Sequence, residues 1–222
     1  MDWLKRTVCT VVRKRETLGF GVHSPFVYGL LTEVFREQMP YYAYSELASL
    51  PADSSLPGNS MRVNRLLFRL VNRFKPSRIV EVGTGNGLST LYMARACKDA
   101  EVVTFTDGRA IPGVIQTADA GLHCVPYALS SQLWRELNGQ RTVDILHISH
   151  TPRYREAYEL ACPHTAPHTL FIIDGIHQEA DKERWWKTVE TDMRNSITID
   201  LYDVGLVFFD PKRTKRNYKM TF

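Results

Sequence analysis

The chain has few cysteines and no pattern among them. The four, Cys9, Cys97, Cys124 and Cys162, are scattered through 222 residues without a Cys-x-x-Cys. That argues against a disulfide framework or a zinc site and for reduced thiols in a cytoplasmic setting. No apolar run approaches the roughly 18 residues needed to cross a bilayer. Residues 1–10 place an acid, a Trp and Lys-Arg before a short apolar stretch ending at Arg13-Lys14-Arg15, which does not read as a signal peptide. A net charge of +4 is too mild to argue for nucleic acid. What remains, at 44% hydrophobic and 23% charged residues, is an ordinary globular composition, long enough to bury its own core.

What is present is concentrated in residues 78–90. Ile79, Val80 and Val82 are β-formers, with Glu81 at the strand's end. Gly83, Gly85 and Gly87 follow at alternate positions, and Leu88, Leu91, Tyr92 and Ala96 then recur at helical spacing. A strand, a glycine turn and a helix form the mouth of a nucleotide-type site. Glycine accepts positive φ and close approach of a ligand, and the new helix offers free N–H groups. The dinucleotide fingerprint Gly-x-Gly-x-x-Gly is missing, because Leu88 stands at its third glycine position. The pattern that stands instead, acid-x-Gly-x-Gly-x-Gly, resembles the first motif of the class I S-adenosylmethionine (SAM) methyltransferases. The resemblance implies that the turn Gly83, Thr84, Gly85, Asn86, Gly87 wraps the amino-acid part of that cofactor. It also implies that Glu81 faces the cofactor's ammonium, directly or through water. A tight βα turn of some other α/β protein is the alternative for this stretch alone.

Along the chain, residues 2–17 predict a basic amphipathic helix, either a solvated packing helix or a membrane-surface one. Ser24 and Pro25 make an N-cap and first position for a helix to about Glu37. Gly-Val-His-Ser-Pro-Phe-Val-Tyr (21–28) resembles the N-terminal region of a bacterial group of SAM methyltransferase-like proteins. His23 there either faces the active site or is a hydrogen-bonded structural histidine. Residues 40–60 carry turn chemistry and read as a mobile connection, a candidate cover for the cofactor mouth. Tyr41, Tyr42 and Tyr44 are left to stack on a ligand or pack on the core. Helices are expected over 61–74, 130–137, 152–161 and 178–190, and strands over 79–82, 101–106, 122–125, 142–148, 169–174, 196–201 and 204–209. Only Tyr202-Asp203 join the last two strands, too short for a parallel crossover, so they form a hairpin. Residues 211–219 read as solvated surface, with an anionic partner as the minority alternative. The fold expected is α/β and Rossmann-like: a mostly parallel seven-stranded sheet with an antiparallel C-terminal hairpin, plus N-terminal helices. Its parts are an N-terminal helical extension and lid-like connection (1–60) and a SAM-binding domain (61–222).

In open α/β sheets the ligand sits beyond the carboxyl ends of the strands. Those tips are Glu81, Asp107, Ser149-His150 and Asp174-Gly175-Ile176-His177. Asp107, followed by Gly108, is placed to grip a ribose, with a helix or turn cap as the alternative. The resemblance carries an adenine contact to Ala128 and adds Ser149 to the cofactor set. The layout looks like the small-molecule O-methyltransferases of the catechol type, in which acids and an amide at the fourth and fifth strand ends hold Mg²⁺. Here Ser149 and Gly175 replace two of those ligands, and Pro152 stands where such relatives carry a lysine base. One carboxylate is a poor Mg²⁺ site, so no tight Mg²⁺ is expected. His150, Asp174 and His177 are the catalytic candidates, as a general-base set or a nitrogen-rich metal set. The alternative has His150 packing beside the cofactor and His177 capping a helix. The activity implied is methyl transfer from SAM to oxygen, or to nitrogen, of a small molecule. The expected partner is that methyl acceptor, with no nucleic acid and no membrane span; a homodimer stays open. A non-catalytic SAM-binding scaffold and a nicotinamide oxidoreductase are the rival readings.

Overall fold

The computed structural model describes residues 13, 16–106, 113–116, 122–126 and 142–222. The strands are β1 (Arg78–Val82), β2 (Glu101–Thr106), β3 (Leu122–Pro126), β4 (Ile145–Ile148), β5 (Leu170–Asp174), β6 (Ile197–Asp200), β7 (Val204–Phe208) and β8 (Arg216–Lys219). They form one sheet in the order β3-β2-β1-β4-β5-β7-β6-β8. Strands β1 to β5 pair in parallel, and β7 runs antiparallel to both β5 and β6. All seven strands expected from the sequence are present, and the hairpin is where the two-residue link requires it.

The eighth strand adds to the expectation for 211–219, whose side chains are mostly exposed. Arg216–Lys219 pairs in parallel with β6, and Tyr218 is buried. Four residues with three exposed polar or charged side chains carry little hydrophobic signal, so the edge strand was not legible.

Helices cover both faces. They are α1 (Pro25–Leu30, continued by a wider π-helical turn Leu31–Phe35), α2 (Tyr42–Ala48), α3 (Met61–Phe74), α4 (Leu88–Ala96), α5 (Gly113–Gln116), α6 (Tyr154–Ala161) and α7 (Ala180–Thr191). Ser24 and Ser60 cap α1 and α3, each hydroxyl accepting from the backbone three residues on. Side chains alternate across a strand, and the central strands use this to fill two cores. Ile79, Ile145, Leu170 and Ile172 pack toward α1, α3 and α4. Val80, Val82, Leu146, Ile148, Phe171 and Ile173 pack toward α6 and α7. Strands buried on both faces read as unbroken apolar runs. A polar residue in such a strand therefore stands out.

The N-terminal helices share the first core, to which Val27, Leu30, Leu31, Val34 and Phe35 all contribute. The 40–60 connection also contains a helix, α2, that turn chemistry did not predict. Of its tyrosines, Tyr41 and Tyr44 stack on Phe68 at 4.8 and 5.2 Å, whereas Tyr42 is 96% exposed. The ring stack supplies the apolar anchor that the surrounding Ser, Asp, Pro and Gly obscured. Most of the predicted 2–17 helix, the 130–137 helix and the candidates Asp107, Gly108 and Ala128 lie outside the described residues. Among the described residues no helix is long and apolar enough to cross a membrane.

Arg13 reaches the far end of the sheet. Its Nη1 and Nη2 donate to Asp200 Oδ1 and Oδ2 at 2.7 and 2.9 Å, with both side chains buried. Burial alone would raise the Asp200 pKa, but His177 and Arg13 hold it well below the usual carboxylate range. Removing one partner of a buried pair strands the other charge. Asp200→Ala is therefore expected to lower unfolding free energy by about 3–5 kcal/mol in urea titration; a change within 0.5 kcal/mol, roughly the range of a neutral surface substitution, would refute this.

Candidate functional site

The glycine turn between β1 and α4 is shaped by what lies against it. Gly83, Gly85 and Gly87 have φ of 97°, 55° and 84°, the left-handed region glycine tolerates. At Gly83 a Cβ would fall 1.9 Å from the carbonyl oxygen of Ser149, and at Gly85 2.4 Å from that of Pro57. Backbone thus crosses the turn on two sides. Ser149 N donates to Val82 O at 2.9 Å, and Asn86 N donates to Pro57 O at 2.8 Å. The Asn86 side chain accepts from Leu88 N at 3.2 Å and so caps the start of α4. Thr84, buried, bonds Thr104 through its hydroxyl at 2.6 Å.

Beneath the turn lies a polar cluster that the sequence reading did not single out. His147, in the middle of β4, is fully buried between two carboxylates. Its Nδ1 donates to Glu81 Oε1 at 2.9 Å and its Nε2 to Asp174 Oδ2 at 2.7 Å. Burial by itself would lower the imidazole's pKa. The charge of Asp174, then hydrogen bonds to Asp174 and Glu81, outweigh it and carry the group up to about 10. Asp174 shows the reciprocal effect: burial pushes it up, but the charge and hydrogen bond of His147, with help from Asn59, bring it down to about 2. The pair is therefore imidazolium and carboxylate at neutral pH.

Glu81 also accepts from Ser89 at 3.0 Å, from Thr104 at 2.6 Å and from the Thr90 hydroxyl. Its side chain has no exposed surface. In this structure the acid ties β1, β2, β4 and α4 together, and its oxygens are occupied by protein donors rather than open to a cofactor ammonium.

Asp174 is the member that faces outward. Asn59 Nδ2 donates to its Oδ2 at 2.6 Å, which fastens the 57–59 segment across the site. The Ser149 hydroxyl stands near enough to favour the ionised carboxylate. Yet Ser149 Oγ and Asp174 Oδ1 complete no hydrogen bond of good geometry among the described residues, and neither does His150 Nε2. Three buried polar atoms without protein partners at one mouth are what a polar ligand end would satisfy. His150 has φ 30°, a backbone position that costs about 1–3 kcal/mol and clusters at functional sites. Burial first, then the charges of His147 and Lys182, lower its pKa despite Asp174. These effects favour the neutral imidazole, the form that can accept a proton.

These groups open into a cleft of about 540 Å³ whose lining includes Pro57, His150, Tyr154, Asp174, Gln178 and Lys182. The structure thus brings together two of the three catalytic candidates, His150 and Asp174. It separates the third: His177 Nε2 donates to Asp200 Oδ2 (2.9 Å), and the ring stacks on Tyr202 at 5.2 Å. Gly175, with φ 64°, turns the chain after β5, so the side chain three residues beyond Asp174 joins the Arg13–Asp200 cluster instead. His23 is exposed, on the turn before α1. Among the described residues no group of three or more His, Cys, Asp or Glu is arranged to hold a metal ion, and both nitrogens of His147 are already committed to carboxylates. Lys182, on α7, is the cleft residue that sequence reasoning missed.

No family model matches the chain, and no curated protein matches it. Solved structures do. An O-methyltransferase from Bacillus cereus in complex with SAH is 20% identical, with a TM-score of 0.56 over 82% of this chain and 96% of that one. The O-methyltransferase TomG from Streptomyces achromogenes, in complex with SAM, is 20% identical, with a TM-score of 0.56 over 82% of this chain and 94% of that one. The SAH-bound Podospora anserina methyltransferase PaMTH1 is 14% identical, with a TM-score of 0.59 over 83% and 93%. At these identities the likeness establishes the fold: this chain has the Rossmann-like architecture of the class I methyltransferases.

The His147 cluster makes stability depend on pH in a stated direction. A raised histidine pKa contributes stability that is complete below the unfolded value of 6.5 and is lost as pH rises through about 10. The lowered Asp174 contributes above 3.8 and is lost as pH falls toward about 2. Unfolding free energy measured in urea is expected to decline from pH 6.5 upward, and less steeply in His147→Asn, which cannot titrate there. Parallel pH slopes for the two proteins would show that His147 does not carry the charge.

Proposed function

We propose that this chain, built on the class I methyltransferase fold, binds SAM and methylates an oxygen of a small molecule. The carrying observation is that Pro57 and His150, which lie against Gly85 of the glycine turn, also line a cleft in which Asp174 is held ionised with Oδ1 unsatisfied and His150 Nε2 has no partner. The structural neighbours bound to SAM or SAH support the same reading. When bound, SAM supplies an electrophilic methyl group, and the protein's task is then to orient the acceptor and remove its proton.

The residues fit that task. Gly83, Thr84, Gly85, Asn86 and Gly87 hold the amino-acid end of the cofactor, Ser149 adds its free hydroxyl, and Asp107, Gly108 and Ala128 are assigned the ribose and adenine. Asp174 Oδ1 accepts a hydrogen bond from the ligand. His150 Nε2 receives the acceptor's proton. His147, an imidazolium, stands below Asp174 and fixes the orientation and charge of that carboxylate. The reaction on this reading proceeds without added divalent metal. The 1–60 extension contributes the cover, with Pro57 and Asn59 on the turn and on Asp174.

Isothermal titration with SAM and SAH is expected to show binding that Gly83→Ala abolishes, because its Cβ would meet backbone. A methyl-donor turnover assay against pooled hydroxylated acceptors, with EDTA and with divalent metals, is expected to give product in both arms. His150→Gln should lower kcat by about 10²–10⁴-fold and leave SAM affinity unchanged. Absence of binding by either SAM or SAH would remove the proposal; binding with no turnover would leave a SAM-binding scaffold.

A further inference from the structure

The α6–α7 side of the cleft holds a cation with no ion-pair partner among the described residues. Lys182 lies on the first turn of α7 and lines the cleft, with 8% of its surface exposed. No hydrogen bond or ion pair of its Nζ is found among the described residues; the ammonium rests over the Tyr154 ring, 5.0 Å from the centroid. A buried lysine is ordinarily paired. A ring face offsets part of that cost.

Of the neighbouring acids Asp181 is engaged elsewhere, and Asp174 and Glu179 make no ion pair with the ammonium among the described residues. Asp181 takes Arg155 at 2.6 Å, the Tyr154 hydroxyl at 2.9 Å and Arg184 at 3.5 Å. Asp174 takes His147 and Asn59 through one oxygen. Asp174 and Glu179 favour the charged ammonium only from beyond ion-pair distance, and burial pulls the lysine below its ordinary pKa. The other cation on the rim, Arg155, is committed to Asp181. Lys182 is the cleft cation left for something else.

We propose that this end of the cleft is an anion subsite, in which Lys182 pairs with a carboxylate borne by the small molecule that occupies it. A monoanion suits the site better than a phosphate dianion, since one cation faces it and Glu179 and Asp181 stand on the rim. Tyr154, packed against Trp185 with ring centroids 4.8 Å apart, gives an aromatic wall beside the ammonium, which fits a planar acid. Calling that molecule the methyl acceptor rests on the function proposed above; the anion subsite does not.

Benzoate and its neutral isostere benzamide are the probes. In calorimetric titration of the full chain, benzoate is expected to bind at least about tenfold tighter than benzamide, the scale of one charge-assisted contact. Lys182→Gln should abolish that preference. Lys182→Met, close in volume and uncharged, should do the same and raise the melting temperature, because it removes an uncompensated buried charge. SAM affinity should be equal in wild type and Lys182→Gln. Equal binding of the two probes by wild type, or a preference that survives both substitutions, would overturn the subsite. Loss of SAM binding on Lys182→Gln alone would overturn its placement at the acceptor end. Failure of wild type to bind SAM would instead remove the methyl-transfer reading while leaving the benzoate preference to be judged separately.

Discussion

A single imidazolium with a carboxylate at each nitrogen holds the centre of this protein. His147 joins Glu81 on β1 to Asp174 on β5, and so clamps the strands on either side of β4 at their carboxyl ends. Burying three ionisable groups is costly unless geometry and hydrogen bonds are complete. Here Ser89, Thr90, Thr104 and Asn59 supply them at every carboxylate oxygen but Asp174 Oδ1. The glycine turn, the Ser149–His150 corner and the 57–59 segment all depend on that clamp for their positions.

The arrangement divides the labour of the two acids. Glu81, closed in by donors from three elements, is a fastening. Asp174 keeps one oxygen uncommitted and faces the cleft. The positive charge that fixes Asp174 comes from within the chain and has no exposed surface, so it is available whatever the solution contains. That accounts physically for how Asp174 is presented as an oriented carboxylate with Ser149 and Gly175, rather than further acids or amides, beside it.

Much of the architecture was legible because strands buried on both faces are unbroken apolar runs, and a two-residue link admits only a hairpin. Gly83, Gly85 and Gly87 were legible because backbone crosses the first two closely and the Val114 and Ile115 side chains crowd the third. His147 was not, because its role needs the register that sets it beside Glu81 on β1, and register between distant strands is not written in either strand alone. Lys182 was not singled out within the 178–190 helix; its burial arises from how α7 packs on α6. His177 was grouped with its sequence neighbour Asp174, and the left-handed turn at Gly175 sent it elsewhere. The short strand β8 lacked the apolar alternation that identifies longer ones.

That last strand also bears on how copies of the molecule meet. A sheet's outermost strand exposes a row of unpaired amides and carbonyls on which another chain can add itself. Here the outermost position beyond the hairpin is taken by β8, where Arg216, Asn217 and Lys219 are exposed. Residues from before α1 are bound along it: Lys219 N donates to Glu16, Arg216 to the carbonyl of Gly21, and Thr221 N to Thr17. The flank where strand-by-strand polymerisation would start is therefore covered by the chain's own beginning and studded with like charges, which keeps a long β-sheet from seeding fibrils.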